Sequence, residues 1–415
     1  LGRIRLPKLL PHQRDAFSIA GTGVGPMAGF GFTPDNPDDD ENKGRPDFSE
    51  IFKQFSGMGL NLQSLMASLS GQTTPSALSK EMIRDISKKF LTAHGEIPVG
   101  VNDLVASQEA LSIADIWIND VTSFPPLPIP DTCALSRRDW IDSTLAGWEE
   151  IAKPLVEGMS QAMTTMLNEN LGEGQETFAI PGLPIPGMNI PKSAIASVLG
   201  TFMSSLISTQ LGQTIGQLST TVTGSNDVAL PLAEPIRPQL IPQNVALWGQ
   251  GLEIDETEIR IYLALREIAA ARLFASTPWL RDYIRHSIAT YGKGIRVDIS
   301  AMTQQAEDAI SSGELDPSNP ESMTLALSGG MFTPEETPAQ REALEKIETV
   351  LALIEGWIDA IVTIAAKDRL PSLVKLRETQ QRMRATNSPT QQLFASLVGL
   401  EVSPRKSREA SSFWS

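Results

Sequence analysis

The sequence predicts a mostly α fold, and three observations carry that expectation. Apolar residues recur at three- and four-residue spacing along most of the chain after Phe48. The period-two alternation of a half-buried strand is nearly absent. Pro and Gly punctuate the helical stretches, 29 and 31 of them in 415 residues. That length is ample for a sizeable core and corresponds to roughly two or three domains. An apolar content of 41% excludes wholesale disorder.

Taken in order, residues 1–46 read as a disordered tail, loosened by Gly21, Gly23, Gly25, Gly29 and Gly31 and charged from Asp38 to Glu41. The acidic run is not a calcium loop, because Lys43 stands where the loop needs Gly and Ser49 where it needs the closing Glu. Residues 47–130 form an N-terminal helical region, and 131–415 a larger helical domain. Helices are expected over 76–93, 99–119 and 137–168, the last opened by Ser136 as N-cap with Asp139 in its first turn. The prolines of 178–191 exclude helix there. The longest uncharged stretch, Ser193 to Asn226, carries too many Ser, Thr and Gln for a membrane span and is expected as a buried helix. Residues 228–242 read as extended, with at most one short strand. Helices follow near 244–252, 255–276, 278–291, 298–312, 335–367 and 372–386. Gly21-Thr-Gly23-Val-Gly25 follows no strand and lacks the Lys-Ser/Thr of a phosphate cradle.

Composition narrows the chemistry. The net charge is 34 − 49 = −15, so nothing favours nucleic acid or an anionic membrane surface as partner. One cysteine, Cys133, excludes an intrachain disulfide and a multi-cysteine zinc site, and agrees with a cytoplasmic setting. It is expected as a buried small residue. His12, His94 and His286 are scattered, with no two spaced as a local metal pair. His94 is expected at a helix C-terminus and His286 on a surface. The basic opening Leu1-Gly-Arg-Ile-Arg5 is followed by no apolar run, so it reads as no secretory signal. A non-standard start codon and a trimmed chain both account for Leu1. The Gly-x-Ser-x-Gly nucleophile elbow is missing. The short basic tail Arg405-Lys-Ser-Arg408 is expected to fray.

Two helices place charges on apolar faces. Over 255–276, Leu263, Glu267, Ala270 and Phe274 form one stripe, beside Ile259, Tyr262, Arg266, Ala269 and Leu273. Over 335–367, Leu351, Glu355, Ile358 and Val362 form a stripe, with Asp359 one turn from Glu355. Unpaired buried charges cost several kcal/mol, so these should meet each other or a ligand.

At these residues a resemblance emerges. Arg266-Glu-Ile-Ala-Ala270 stands in the place of a degenerate His-Glu-x-x-His motif, with Ala352-Leu-Ile-Glu355-Gly-Trp-Ile-Asp359 downstream. With Ser136-Arg-Arg-Asp-Trp140, Leu230-Pro-Leu-Ala-Glu-Pro235, Asn244-Val-Ala-Leu-Trp248, Thr333-Pro-Glu-Glu-Thr-Pro-Ala-Gln340 and Leu397-Val-Gly-Leu-Glu401, the chain resembles the zincin-like metallopeptidase type 2 family. That family is found mainly in actinobacteria, and the likeness covers roughly Pro98 to Trp414. The resemblance implies Glu267 as general base and Glu355 as third zinc ligand. The two motif histidines are replaced by Arg266 and Ala270, and a further His position by Trp357.

Ala270 offers no donor and Arg266 cannot be deprotonated. A guanidinium about 4 Å from a dication, at an effective dielectric of about 20, is repelled by roughly 8 kcal/mol. A structural zinc site binds with only about 10–16 kcal/mol. No cofactor is therefore expected, and Arg266 is expected to replace the metal, bridging Glu355 with Glu267 or Asp359 as second acceptor. Three functions remain open. The first is a non-catalytic scaffold or binder of a peptide or protein. The second is an active zinc hydrolase recruiting Glu267, Glu355, Asp359 and a distant His. The third is a metal-independent hydrolase pairing Glu267 with Glu355 or Asp359. Oligomeric state is not encoded in any feature of the sequence.

Overall fold

Local chemistry sets the helix ends. In the computed structural model, which describes residues 78–170, 177–178, 190–295, 337–392, 410 and 413–414, α1 (Lys80–His94) starts where Ser79 Oγ accepts from Met82 N at 3.3 Å. It stops at Gly95, whose φ of +80° suits glycine. Helix α2 spans Val101–Asn119. Helix α3 (Arg137–Asn170) opens with the expected cap: Ser136 N and Oγ donate to Asp139 Oδ2 at 3.1 and 2.7 Å, and Asp139 N donates back to Ser136 Oγ at 3.1 Å. The uncharged stretch becomes α4 (Lys192–Ser219). Helices α5 (Pro242–Gly249), α6 (Glu256–Ser276) and α7 (Trp279–Lys293) follow. Helix α8 (Pro338–Ala366) begins with a Thr337/Gln340 capping box and Pro338 in its first turn, and α9 spans Leu373–Asn387.

The mostly α expectation is met. The β structure among the described residues is one antiparallel pair, β1 (Thr177–Phe178) with β2 (Ile190–Pro191), plus bridges from Leu240 to Ala134 and Gly224. The strand foreseen in 228–242 reduces to those bridges at Leu240. The tail 1–46, the acidic run, the helix near 298–312, the middle of the loop 178–191 and the basic tail lie outside the described residues.

Packing runs in sequence around α6. Helices α1, α3 and α4 pack together, α3 on α7, α7 on α8, and α8 and α2 on α6. The α3–α7 crossing is tight because glycine faces glycine: a Cβ on Gly158 would stand 2.2 Å from the Gly292 carbonyl oxygen. Helices on both sides of residue 130 contribute to one apolar core, for example Ile83, Ile118, Trp140, Leu211 and Ile268. Trp140 and Trp148 meet edge to face there, with centroids 6.3 Å apart. Cys133 is fully buried in it.

Helix α6 is buried on nearly every side from Ile259 to Phe274, rather than along a single stripe. Its apolar and Ala-rich circumference explains this, since each flank meets another helix. Helix α8 is the one described helix long and apolar enough to cross a membrane, with 61% of its most apolar window buried within the fold.

Candidate functional site

Arg266 and Glu267 leave α6 side by side, so helical geometry sends them about 100° apart. Both are buried, at 6% and 3% exposure. Arg266 Nη2 donates to Glu355 Oε1 of α8. Glu355 also receives Arg384 Nε of α9 at 3.4 Å. Arg384 Nη2 in turn holds the Asp227 carboxylate, and the Asp227 carbonyl oxygen at 2.8 Å. Asp227 Oδ2 is fixed from below by Thr223 N at 2.9 Å and Thr223 Oγ1 at 3.1 Å. The result is a balanced lattice, Arg266–Glu355–Arg384–Asp227, of two cations and two carboxylates.

Glu267 points into the loop between α4 and α5. It accepts from Asn226 N at 3.0 Å, Asn226 Nδ2 at 2.7 Å and Gln239 N at 3.1 Å. The loop's two arms are tied to each other as well, by Ser225 N to Gln239 O at 3.0 Å and Ile241 N to Thr223 O at 2.9 Å. Glu267 therefore satisfies main-chain N–H groups that the loop buries and cannot pair in a regular ladder. Gly224 makes room for it: a Cβ there would lie 2.4 Å from Glu267 Oε2.

The electrostatics follow from burial and partners. Burial pushes the Glu267 carboxyl up to about 8, with the Gln239 and Asn226 N–H groups opposing the rise. Burial raises the Tyr262 hydroxyl to about 12 beside Arg266. Burial pushes Arg266 down, but Glu355, joined by Tyr262, Asp227 and Asp359, outweighs it and holds the guanidinium above its ordinary value. Burial likewise raises Asp227, and Arg384 with the Thr223 N–H more than reverses this.

The cleft between these side chains is lined by Arg266, Glu267, Ala270, Glu355, Asp227 and Arg384, among others. Its volume is about 10 Å³, enough for one water. Arg266 Nε and Nη1 are buried there with no hydrogen-bond partner among the described residues.

Of the residues singled out in the sequence, Arg266, Glu267, Ala270 and Glu355 converge on this cleft. Asp359 and Trp357 do not line it. Asp359 is one turn along α8 and takes Arg377 of α9 through three contacts, at 3.1, 3.1 and 2.7 Å. Trp357 packs against Phe124, centroids 5.3 Å apart. The second acceptor expected for Arg266 is thus neither Glu267, which the loop consumes, nor Asp359, which Arg377 consumes. The charge balance is completed by Arg384 and Asp227, residues that the sequence had not brought forward.

Zinc does not fit this residue set. The Arg266 guanidinium sits on Glu355, the matching ligand position, and Ala270 brings only a methyl group to the cleft wall. Among the described residues no three His, Cys, Asp or Glu side chains are grouped to hold a metal. His94 ends α1, stacked on Phe90 at 4.0 Å, and its Nδ1 donates to the Phe90 carbonyl. His286 is exposed on α7.

Comparison with known proteins bears on the family of the chain, not on the motif itself. A sequence profile of the zincin-like metallopeptidase family matches residues 81–415. A search of curated proteins found no significant match. A crystal structure from Chloroflexus aurantiacus, provisionally described as a hydrolase with a novel fold, superposes with a TM-score of 0.51 at 17% identity. The match covers 81% of this chain and 85% of that one, so the two share a fold. The profile match spans most of the sequence and includes every residue of the cleft, and on that ground the chain belongs to the zincin-like metallopeptidase family.

Proposed function

We propose that this chain is a non-catalytic member of its family, a cytoplasmic binding or scaffold protein that has exchanged a metal centre for an ion-pair lattice. The observation that carries the reading is the Arg266 guanidinium seated on Glu355, the residue that matches the third-ligand position. One cation thereby meets the charge that a metal would otherwise meet, without open coordination sites. The fate of Glu267 supports the same reading. A general base needs an oxygen free to reach the proton it abstracts. Three N–H donors occupy most of the acceptor capacity of this carboxyl group, and below about pH 8 it already holds its proton.

A metal-independent hydrolase built on Glu267 and Glu355 is less well supported. Each carboxylate is committed to its own donors, and the cleft between them has room for about one water. The test is hydrolysis of an unfolded protein substrate by the purified chain, with and without added zinc, beside Glu267→Gln. The proposal expects no hydrolysis that disappears in the Glu267 variant. Glu267-dependent cleavage would overturn it.

A further inference from the structure

Helix α9 closes the cleft with a polar face. Arg377, Gln380 and Arg384 recur at i, i+3 and i+7 and so share one side of the helix. Arg377 takes Asp359 of α8, Gln380 Oε1 accepts from Trp248 Nε1 of α5 at 3.2 Å, and Arg384 reaches Asp227 and Glu355. Just beyond the helix, Thr390 Oγ1 donates to the Val228 carbonyl at 2.5 Å. The buried apolar side chains of α9 are Leu373 and Leu376, both near its start. Two buried leucines hold the start of the helix; charge, hydrogen bonds and the buried Pro389-Thr390 segment hold its far end.

The acceptors around Arg384 have the character of a receptor. Asp227 offers its carboxylate and its carbonyl oxygen to one guanidinium, and Glu355 adds a second carboxylate. A planar fork meets such converging acceptors better than the point charge of an ammonium. Asp227 is pinned by Thr223 N and Oγ1, so its carboxylate keeps its place without Arg384. If Arg384 withdraws, Asp227 and Glu355 face Arg266 alone and one negative charge is left over.

We propose that the cleft is a guanidinium-binding site, filled in cis by Arg384, and that α9 swings out about Leu373 and Leu376 to admit an arginine side chain of a peptide or protein partner. This deepens the non-catalytic binding reading and rests on it. Arg384 is the stand-in ligand, and the one-water volume of the closed cleft explains why no side chain enters while it is seated.

The experiment titrates acetyl-arginine amide, with acetyl-lysine amide as comparator, into the full chain by calorimetry. The wild type should bind the arginine compound at least about tenfold more weakly than Arg384→Gln, because Arg384 competes for the site. Arg384→Gln should give saturable binding of the arginine compound, at least about tenfold weaker binding of the lysine compound, and no binding once Asp227→Asn is added. A folded Arg384→Gln that takes up no arginine, or takes both compounds equally, overturns the proposal. Should that variant fail to fold, native-state hydrogen exchange of the wild type decides: residues 373–387 exchanging ahead of α8 support it, and exchange of both only on global unfolding overturns it. These readouts report ligand uptake and helix opening, so they fail separately from a hydrolysis assay.

Discussion

Separating Arg266 from Glu355 is the perturbation that probes the lattice most sharply. The pair is largely withdrawn from water, with side-chain exposures of 6% and 19%. Two unit charges about 4 Å apart at an effective dielectric of about 20 attract by roughly 4 kcal/mol. The two single substitutions should not cost the same. Arg266→Met leaves Glu355 with Arg384 Nε at 3.4 Å, so part of the compensation survives and the loss should be about 2 kcal/mol. Glu355→Gln leaves a buried guanidinium whose Nε and Nη1 already lack partners, and the loss should be about 3–5 kcal/mol. The double variant should cost less than the sum, with a coupling of about 1–3 kcal/mol. Urea unfolding by linear extrapolation measures all four chains. Additivity within about 0.5 kcal/mol would refute the argument.

Stability should depend on pH through Glu267. Its folded value of about 8 lies above its ordinary 4.5, so between them the native state holds the extra proton. The unfolding free energy therefore falls as pH rises through that window, by at most about 1.4 kcal/mol per unit, and levels off above it. Glu267→Gln should flatten this dependence, and an unchanged slope would contradict the assignment. Gly224→Ala should lower the urea midpoint and cost about 1–3 kcal/mol, since its Cβ would stand 2.4 Å from Glu267 Oε2 and 2.9 Å from Gln239 O. An unaltered midpoint would mean that the loop does not grip Glu267 as described. Cys133 should resist thiol reagents until the protein unfolds, because it is fully buried and burial raises its pKa. Stoichiometric labelling of native protein would argue against that packing.

The helices were legible in the sequence because periodicity and caps agree there. Ser136 with Asp139 marked the start of α3, and the 255–276 and 335–367 stretches match α6 and α8 within a few residues. Half of the site was legible for a different reason. Arg266, Glu267 and Glu355 stand out because charge on an apolar face must be neutralised. Asn226 and Asp227 were not legible, since Asn-Asp after an uncharged run reads as an ordinary turn. What brings them to Glu267 is the return of the 220–241 loop beneath α6, a long-range pairing with no local signal. Arg384 did leave a trace. Arg377, Gln380 and Arg384 form a polar stripe at helical spacing, on a helix whose buried apolar residues are two leucines. Such a stripe is ordinarily a solvated face, and only the partners on α8, α5 and the loop reveal it as an inward one.

Arg266 is proposed to occupy the place of a metal. Zinc content of the chain, purified without chelator, incubated with zinc and desalted, tests it by elemental mass spectrometry. The lattice predicts zinc far below one equivalent, because Arg266 sits on Glu355 and Ala270 supplies no ligand. Stoichiometric zinc that survives desalting would contradict the claim.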